Sequence, residues 1–325
     1  MQMSRGNNSY KPPGLTIHEA LRLSTDLPRL DREVLLSHTL GQDRVFLMAH
    51  AEMKLTPHQL KRYRDFLARA TKHEPIAYIV GRREFYGRDF SVGPGVLIPR
   101  HETELIVEVT ISRMKNMELR IKDQKRKNNF QQRSPANIQH SPRVAVIDVG
   151  TGSGAIIISL AKEFSSRSGL QTSRFSFFAT DISPKALTYA RKNARRHQVN
   201  KQIRFSACDL LRTIEKKLSA FDEVFIIANL PYLSPALYRS VAPNVRRYEP
   251  KEALVSGRDG LAHYRRLLNT LNILHTHGLK VHFFLEISPE QTDLFPAFFA
   301  DIAPGSPFSI YPDLAGKPRV IDGSL

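Results

Sequence analysis

The sequence predicts an α/β protein in which a doubly wound, mostly parallel sheet follows a small bundle of helices. Short apolar runs rich in β-branched residues recur from residue 144 onward, and helical stretches separate them. This alternation is typical of βαβ units and therefore of a parallel sheet. The amino-terminal region lacks such runs and carries helix start and stop signals instead.

Three helices are predicted in the amino-terminal region. The first opens at the capping box Thr16-Ile17-His18-Glu19, and the second covers residues 31–40 and stops at Gly41. Thr56-Pro57 caps the third. Its apolar side chains at helical spacing, which we interpret as core packing, are Leu60, Tyr63, Phe66 and Leu67.

A β-hairpin is predicted over residues 83–98, with its turn at Gly93-Pro94-Gly95. A helix should open near Glu102 and run into a basic stretch, residues 113–143. That stretch holds nine Lys or Arg and two acidic residues, a net charge of +7. We interpret its first part as a continuation of the helix and residues 125–142 as a disordered linker.

A strand, a glycine-rich turn and a helix then follow in direct succession. The strand Val144–Val149 leads into Gly150-Thr151-Gly152-Ser153-Gly154, and residues 156–161 have the pattern of a helix. The next strand, residues 175–180, ends at Asp181, whose carboxylate can bind ribose hydroxyl groups. Ser183-Pro184 caps the following helix. Further strands are predicted at residues 203–206, 224–228 and 280–287, and an antiparallel pair at 308–311 and 319–322.

Two cofactors fit the glycine turn. Residues 150–155 satisfy both the dinucleotide pattern G-x-G-x-x-G/A and the G-x-G-x-G pattern that accommodates S-adenosylmethionine. Asp181 lies 31 residues after Gly150, whereas about 20 is typical of NAD sites. Asp148 directly precedes the turn, where a carboxylate would repel a pyrophosphate and tolerate an ammonium group. Both observations favour S-adenosylmethionine.

The most informative stretch is Asn229-Leu230-Pro231-Tyr232, directly after the apolar run 224–228. The Asn229 side-chain oxygen and the Leu230 carbonyl can together accept both hydrogens of a planar NH2 group. Pro231 fixes the backbone, and the Tyr232 ring can stack on an amide or a base. Asn-x-Pro-Tyr also occurs in ordinary turns. The interpretation of residues 229–232, called the notch below, as a binding site therefore depends on the upstream glycine loop. The notch has no role in hydride transfer, which again favours S-adenosylmethionine.

These segments together resemble the HemK-type (PrmC) release-factor glutamine methyltransferases, from about residue 15 to the carboxyl terminus. The most specific one is Leu97-Ile98-Pro99-Arg100-His101-Glu102-Thr103-Glu104. The glycine loop is typical of methyltransferases in general, and Asn-x-Pro-Tyr of amino-group methylation. The other matching segments are residues 83–92, 248–254, 257–261, 285–287 with Gln291, and 313–320.

The resemblance implies a seven-stranded, Rossmann-like class I methyltransferase domain that uses S-adenosylmethionine. The implied substrate is the glutamine of the Gly-Gly-Gln motif in class I peptide chain release factors, gripped in part by the amino-terminal bundle. The cofactor would contact Gly150, Thr151, Gly152, Ser153, Gly154, Asp181, Asp209, Leu210 and Asn229. The substrate would contact Asn229, Leu230, Pro231, Tyr232, Arg100 and Glu104, of which Asn229, Pro231 and Tyr232 form the catalytic group.

In this reading, Asn229 and the Leu230 carbonyl hold the two N–H groups of the amide, so that alignment supplies much of the rate and no general base is needed before transfer. Asp209 would bind the adenine amino group. Arg100 and Glu104 would either close the site or form a structural ion pair.

Two departures from the family pattern stand out. Leu230 replaces the first Pro of Asn-Pro-Pro-Tyr, which makes the notch similar to that of the rRNA adenine dimethyltransferases as well. Many relatives carry a Trp after the acidic residue of the third strand, whereas here Asp209 precedes Leu210 and the chain contains no Trp. The adenine would then meet an aliphatic wall.

Composition limits the remaining choices. The net charge of +17 suits an acidic protein partner or ribosomal RNA, and equally a solvated surface. Cys208 is the only cysteine, which excludes an intrachain disulfide and favours a cytoplasmic location. No apolar run approaches the length of a membrane span, the histidines lack metal-ligand spacing, and nothing demands a dimer.

The expected domains are a disordered tail at 1–14, a helical substrate-recognition domain at 15–82, a hairpin connector at 83–100 and a methyltransferase domain at 101–325. Two alternative functions remain. One is an rRNA or DNA adenine N6 methyltransferase, which the basic charge suits. The other is an inactive module that binds the ribosome or a release factor.

Overall fold

The computed structural model describes residues 14–131, 142–165 and 174–325, and the chain divides into two compact units at Gly81 and Arg82. The predicted tail therefore lies outside the described residues except for Gly14. Of the predicted linker, residues 125–131 continue the preceding helix, so the expectation of disorder there is wrong. Residues 132–141 lie outside the described part of the chain.

The first unit, from Gly14 onward, is built from five helices, and the predicted caps are confirmed. Thr16 and Thr56 each form a capping box, with Glu19 and Gln59 respectively, and Gly41 ends a helix in the left-handed conformation. Tyr63 and Leu67 are buried in the core of this unit, with Leu60 and Phe66 packed at its margin. The helices are α1 (Ile17–Ala20), α2 (Arg29–Leu40), α3 (Arg44–Ala49), α4 (Pro57–Ala70) and α5 (Ile76–Val80).

The second unit opens with the predicted hairpin, but its turn lies elsewhere. Strands β1 (Arg82–Phe85) and β2 (Arg88–Ser91) pair antiparallel around Tyr86-Gly87. Both turn residues have positive φ angles, 51° and 67°, as a two-residue hairpin of this kind requires. Gly93-Pro94-Gly95 follows the hairpin instead of turning it.

A seven-stranded sheet forms the rest of the second unit, in the order β5-β4-β3-β6-β7-β9-β8. All neighbouring pairs up to β7 are parallel, and β9 runs antiparallel to both β7 and β8. The prediction of a mostly parallel sheet with one reversed strand is thus confirmed. The strands are β3 (Val144–Val149), β4 (Phe175–Asp181), β5 (Ile203–Ala207), β6 (Glu223–Ala228), β7 (Lys280–Glu286), β8 (Phe308–Pro312) and β9 (Pro318–Ser324).

Helices cover both faces of this sheet, which explains why its central strands are apolar on both sides. Every residue of β3 is buried, and so are all but the first of β6. None of the helices in the described ranges combines the length and the hydropathy needed to cross a bilayer. The helices of this unit are α6 (Glu104–Gln131), α7 (Ala155–Ser165), α8 (Pro184–Arg196), α9 (Glu215–Leu218), α10 (Pro235–Ser240), α11 (Pro243–Tyr248), α12 (Ala262–Thr276) and α13 (Leu294–Ile302).

Candidate active site

The glycine loop and the Asn-Leu-Pro-Tyr notch begin side by side at the carboxyl edge of the sheet. Strands β3 and β6 are hydrogen-bonded neighbours, and Val149 pairs with Ala228 at their last residues. The chain therefore leaves both strands at the same level, with Gly150 opening one loop and Asn229 the other. This edge is where open α/β sheets place their ligands.

A cavity of about 370 Å³ lies between the two loops, within the range of small-molecule sites. Its lining includes most of the predicted site residues, namely Arg100, Gly150, Thr151, Gly152, Ser153, Asp181, Asp209, Leu210, Asn229, Leu230 and Pro231. Thr103, Cys208, Glu252 and His263 also line it. Gly154, Tyr232 and Glu104 are predicted site residues that are not among its lining residues.

The glycines of the loop serve different purposes. A side chain at Gly150 would place its Cβ 2.8 Å from Leu230 Cδ2, so this glycine makes room for the notch. At Gly152 a Cβ would come no closer than 4.0 Å to its nearest neighbour, which leaves the backbone open to the cavity. A Cβ at Gly154 would lie 2.9 Å from Ile158 Cδ1 and 3.2 Å from Ala190 Cβ. Gly154 thus allows α7 and α8 to pack, and its predicted cofactor contact stays a prediction.

Asp148 stabilises the loop from inside. The side chain is fully buried and accepts a 2.6 Å hydrogen bond from Thr151 Oγ1. Burial raises the pKa of this carboxyl to about 7. Asp148 is not among the cavity's lining residues, and its predicted tolerance of a cofactor ammonium group stays a prediction.

Asp181 ties two segments of the cavity wall together. Its Oδ2 accepts a hydrogen bond from Gly152 N and its Oδ1 one from Ser183 N, both at 2.8 Å. Burial raises the pKa of this carboxyl even though both bonds favour its ionised form. A carboxylate oxygen has more than one acceptor position, so Asp181 can hold the loop and still accept hydroxyl groups from the cavity.

Asp209 and Leu210 also line the cavity. Asp209 pairs with Arg266, which fixes its carboxylate at the cavity rim. Leu210 adopts a positive φ of 50°, a conformation that is uncommon for a residue with a branched side chain. The preceding Cys208 is partly exposed, and its Sγ lies 3.4 Å from the Leu210 carbonyl oxygen.

Asn229 is held by its amide nitrogen. Its Nδ2 donates a 3.0 Å hydrogen bond to Thr103 Oγ1, and its side chain lies close enough to the buried Glu286 carboxyl to lower the pKa of that carboxyl, which burial raises to about 7. Within the described residues no donor bonds to Asn229 Oδ1 or to the Leu230 carbonyl. Both predicted acceptors are therefore available at the cavity wall.

Tyr232, the last residue of the notch, is not among the lining residues of the cavity. The side chain is partly buried against the sheet core, and burial raises its pKa. Its carbonyl accepts a 3.3 Å hydrogen bond from Gln291 Nε2, and a Cβ at Gly260 would come within 2.0 Å of the same carbonyl oxygen. Stacking of Tyr232 on a substrate stays a prediction.

Arg100 and Glu104 do not pair with each other. Arg100 binds Glu249, with 2.5 Å between Nη2 and Oε1, and the other oxygen of this buried carboxylate accepts Ile98 N at 3.0 Å. Glu104 instead accepts hydrogen bonds from Tyr86 N in the hairpin turn and from His101. The predicted Arg100–Glu104 ion pair is therefore wrong, although Arg100 does line the cavity.

Several residues near the site were not assigned a role by the sequence alone. Glu249 anchors Arg100, whereas Thr103 and Glu286 contact Asn229. The fully buried Tyr264 accepts Leu230 N at 3.3 Å and donates to the Glu286 carbonyl. Most of them lie in segments that carried the family resemblance, which was the only available signal.

Comparison with known proteins gives a family for both units. Residues 17–81 match the PrmC N-terminal domain, and residues 140–252 match a methyltransferase domain. A release factor glutamine methyltransferase from Koribacter versatilis is 36% identical over 92% of this chain and 92% of its own length.

Two further relatives carry the same name. The protein from Nitratidesulfovibrio vulgaris is 34% identical over 82% of this chain and 79% of its own length. The one from Bacillus subtilis is 31% identical over 94% of this chain and 96% of its own length. The chain thus belongs to the release factor glutamine methyltransferase family.

Proposed function

We propose that this protein transfers a methyl group from S-adenosylmethionine to the side-chain amide nitrogen of the glutamine in the Gly-Gly-Gln motif of class I release factors. One observation carries the proposal. Asn229, whose amide oxygen and neighbouring Leu230 carbonyl accept no hydrogen bond from the described residues, lines the same cavity as the glycine loop.

The residues of the cavity fit S-adenosylmethionine. Gly152 leaves an open backbone surface, Asp181 offers carboxylate oxygens for ribose hydroxyls, and Asp209 stands at the opposite rim beside the apolar Leu210. The bound cofactor supplies a methyl group made electrophilic by its sulfonium sulfur. The residues of the chain have to bind the cofactor, orient the substrate amide and exclude water from the site.

The substrate would be held by the notch. An amide NH2 has two hydrogens and is planar, and the Asn229 Oδ1 and Leu230 carbonyl oxygens offer two acceptors. When both amide hydrogens are held, the amide nitrogen can point in only one direction. Substrate binding then also aligns this nitrogen with the methyl group. Pro231 limits backbone motion directly after the Leu230 carbonyl. Leu230 retains the carbonyl that a proline would present, so this departure leaves the proposed contact intact.

The decisive experiment offers labelled S-adenosylmethionine with a purified class I release factor or with rRNA. We expect label on the release factor and none on rRNA. A release factor whose Gly-Gly-Gln glutamine is changed to asparagine is the matched control and should accept little label, because its amide is one methylene shorter. Label on rRNA alone would favour the adenine methyltransferase alternative, and no transfer at all would favour the inactive binding module.

The single cysteine provides a test of the cofactor site that needs no mutation. Cys208 lines the cavity and is the chain's only thiol. Saturating S-adenosylmethionine or S-adenosylhomocysteine should slow its reaction with a thiol reagent by about tenfold or more, because reactivity depends on access. Thiol release followed by absorbance measures the rate, and the unfolded chain should show no protection. An unchanged rate at saturation would place the cofactor elsewhere.

We also propose that the amino-terminal unit, residues 15–82, contributes to recognition of the release factor. Its match to the PrmC N-terminal domain supports this role. The basic surface is proposed to speed encounter with an acidic or ribosome-bound partner, a contribution that should weaken as salt is raised.

A further inference from the structure

The segment Arg100-His101-Glu102-Thr103-Glu104 carried the family resemblance, yet the proposed function gives Thr103 no task. Thr103 is buried in the short 3-10 turn that precedes α6, and its hydroxyl faces the notch. Glu286, the last residue of β7, is likewise buried and is fully enclosed. Neither residue would be expected inside a protein without a strong reason, because burying a polar group costs free energy unless it is hydrogen-bonded.

Thr103, Glu286 and Asn229 form a connected set. The Asn229 amide nitrogen donates to Thr103 Oγ1 at 3.0 Å, and both side chains lie close enough to the Glu286 carboxyl to lower its pKa. Glu286 Oε2 is buried and has no hydrogen-bond partner among the described residues. A threonine hydroxyl has one hydrogen and two lone pairs. When it donates that hydrogen to the carboxyl of Glu286, only its lone pairs remain for Asn229, and these require a donor.

The direction of these bonds fixes the Asn229 amide. Its Nδ2 faces Thr103 Oγ1. Burial raises the pKa of the Glu286 carboxyl to about 7, whereas the contacts of Thr103 and Asn229 favour its ionised form, which accepts hydrogen bonds and cannot donate them. The amide oxygen is then turned the other way, toward the cavity. A flipped amide would bring its oxygen against the carboxylate, an unfavourable contact that burial strengthens.

We propose that Thr103 and Glu286 are positioning residues that set the orientation of the Asn229 amide and thereby select a substrate that presents an NH2 group. This inference rests on the proposed function, since it explains how the same notch recognises its amide. Neither residue is assigned contact with the reacting atoms; they act through Asn229.

The first test observes the Asn229 side-chain amide directly by NMR. In a ¹⁵N-labelled protein its amide signals are identified by their loss in Asn229→Ala. We expect these signals to shift and to exchange faster with water in Thr103→Val, which keeps the shape and removes the hydroxyl. Thr110→Val is the matched control, because Thr110 is also buried and its hydroxyl donates to the Ile106 carbonyl. Unchanged Asn229 signals in Thr103→Val would overturn the inference.

The second test separates positioning from stability. Thr103→Val should lower kcat for transfer to the release factor by about tenfold or more while the affinity for S-adenosylhomocysteine stays within about twofold, and Thr103→Ser should restore most of the loss. Thr110→Val should leave kcat unchanged. Equal kcat losses in both valine variants, or no rescue by serine, would show a merely structural role.

If Thr103→Val does not fold, Glu286→Gln carries the test. Its amide can donate as well as accept, so the Thr103 hydroxyl loses its fixed direction, and the same changes in the Asn229 signals and in kcat are expected. Absence of transfer by the unmodified protein would overturn the proposed function together with this inference. Transfer that proceeds at full rate in both variants would overturn the inference alone.

Discussion

Replacing Asn229 with alanine is expected to lower kcat for methyl transfer by about a hundredfold or more. The change removes the side-chain acceptor at the end of β6 and leaves the Leu230 carbonyl as a single contact, so the amide nitrogen can rotate away from the methyl group. Loss of one preorganised hydrogen-bonding group in other enzymes costs about 10²–10³ in kcat. Single-turnover transfer of label to the release factor measures the effect.

Cofactor affinity is the companion measurement for this variant. Calorimetric titration with S-adenosylhomocysteine should give values for Asn229→Ala within a few-fold of the unmodified protein, because the glycine loop and Asp181 are untouched. Asn272→Ala is the control, since the Asn272 amide nitrogen is also a hydrogen-bond donor, in its case to the Ile302 carbonyl, but Asn272 lies outside the cavity lining. A wild-type transfer rate in Asn229→Ala would refute the assigned role.

The second large effect is expected at Gly260. Its φ of 79° is strained for any other residue, and a Cβ there would lie 2.0 Å from the Tyr232 carbonyl oxygen and 2.9 Å from Gln291 Nε2. Gly260→Ala must therefore displace the notch backbone. Misplacement by about 1 Å can cost about 10²-fold in rate, and the free energy of unfolding should fall by several kcal/mol, roughly the upper range of single substitutions.

Gly278→Ala is the control for Gly260→Ala, because it introduces the same backbone strain without the steric clash. Gly278 has a φ of 91°, but a Cβ added at that position would have no other atom within 4 Å. Its substitution should cost only about 1–2 kcal/mol for the positive φ. Urea unfolding and kcat are measured for both variants. Equal destabilisation by the two alanines, with kcat retained in Gly260→Ala, would show that the notch tolerates movement at Tyr232.

The parts of the site that the sequence predicts are those encoded locally. The glycine loop and the notch each follow an apolar strand directly, so the strand pattern places them at the same edge of the sheet. Ser183-Pro184 and the capping boxes are equally local, since a cap and its partner lie three residues apart.

The parts that were missed depend on distant partners. An ion pair between Arg100 and Glu104 was one of the two roles expected for them, but the partner of Arg100 is Glu249, which is 149 residues distant. Thr103 and Asn229 are 126 residues apart. No local pattern carries such a pairing, because it arises only once the strands are ordered in the sheet.

The predicted position of the hairpin turn was wrong for another reason. Gly93-Pro94-Gly95 is a strong local turn signal, yet the chain turns at Tyr86-Gly87, where a tyrosine takes a left-handed conformation. A Tyr in that conformation is uncommon. The hydrogen bond from Tyr86 N to Glu104 helps to hold it there.

The pairing of Val149 with Ala228 means that the sheet sets the distance between the glycine loop and the notch. The loop proposed to bind the methyl donor and the notch proposed to bind the methyl acceptor follow adjacent strands. These strands lie about 4.8 Å apart and are joined by backbone hydrogen bonds. Their separation is therefore set by main-chain geometry and is insensitive to most side-chain changes. Deleting one residue from β6 would slide Asn229 by about 3.3 Å and turn it to the opposite face. Substitutions on the surrounding surface should leave this separation unchanged, whereas a change in the length of either strand should alter it.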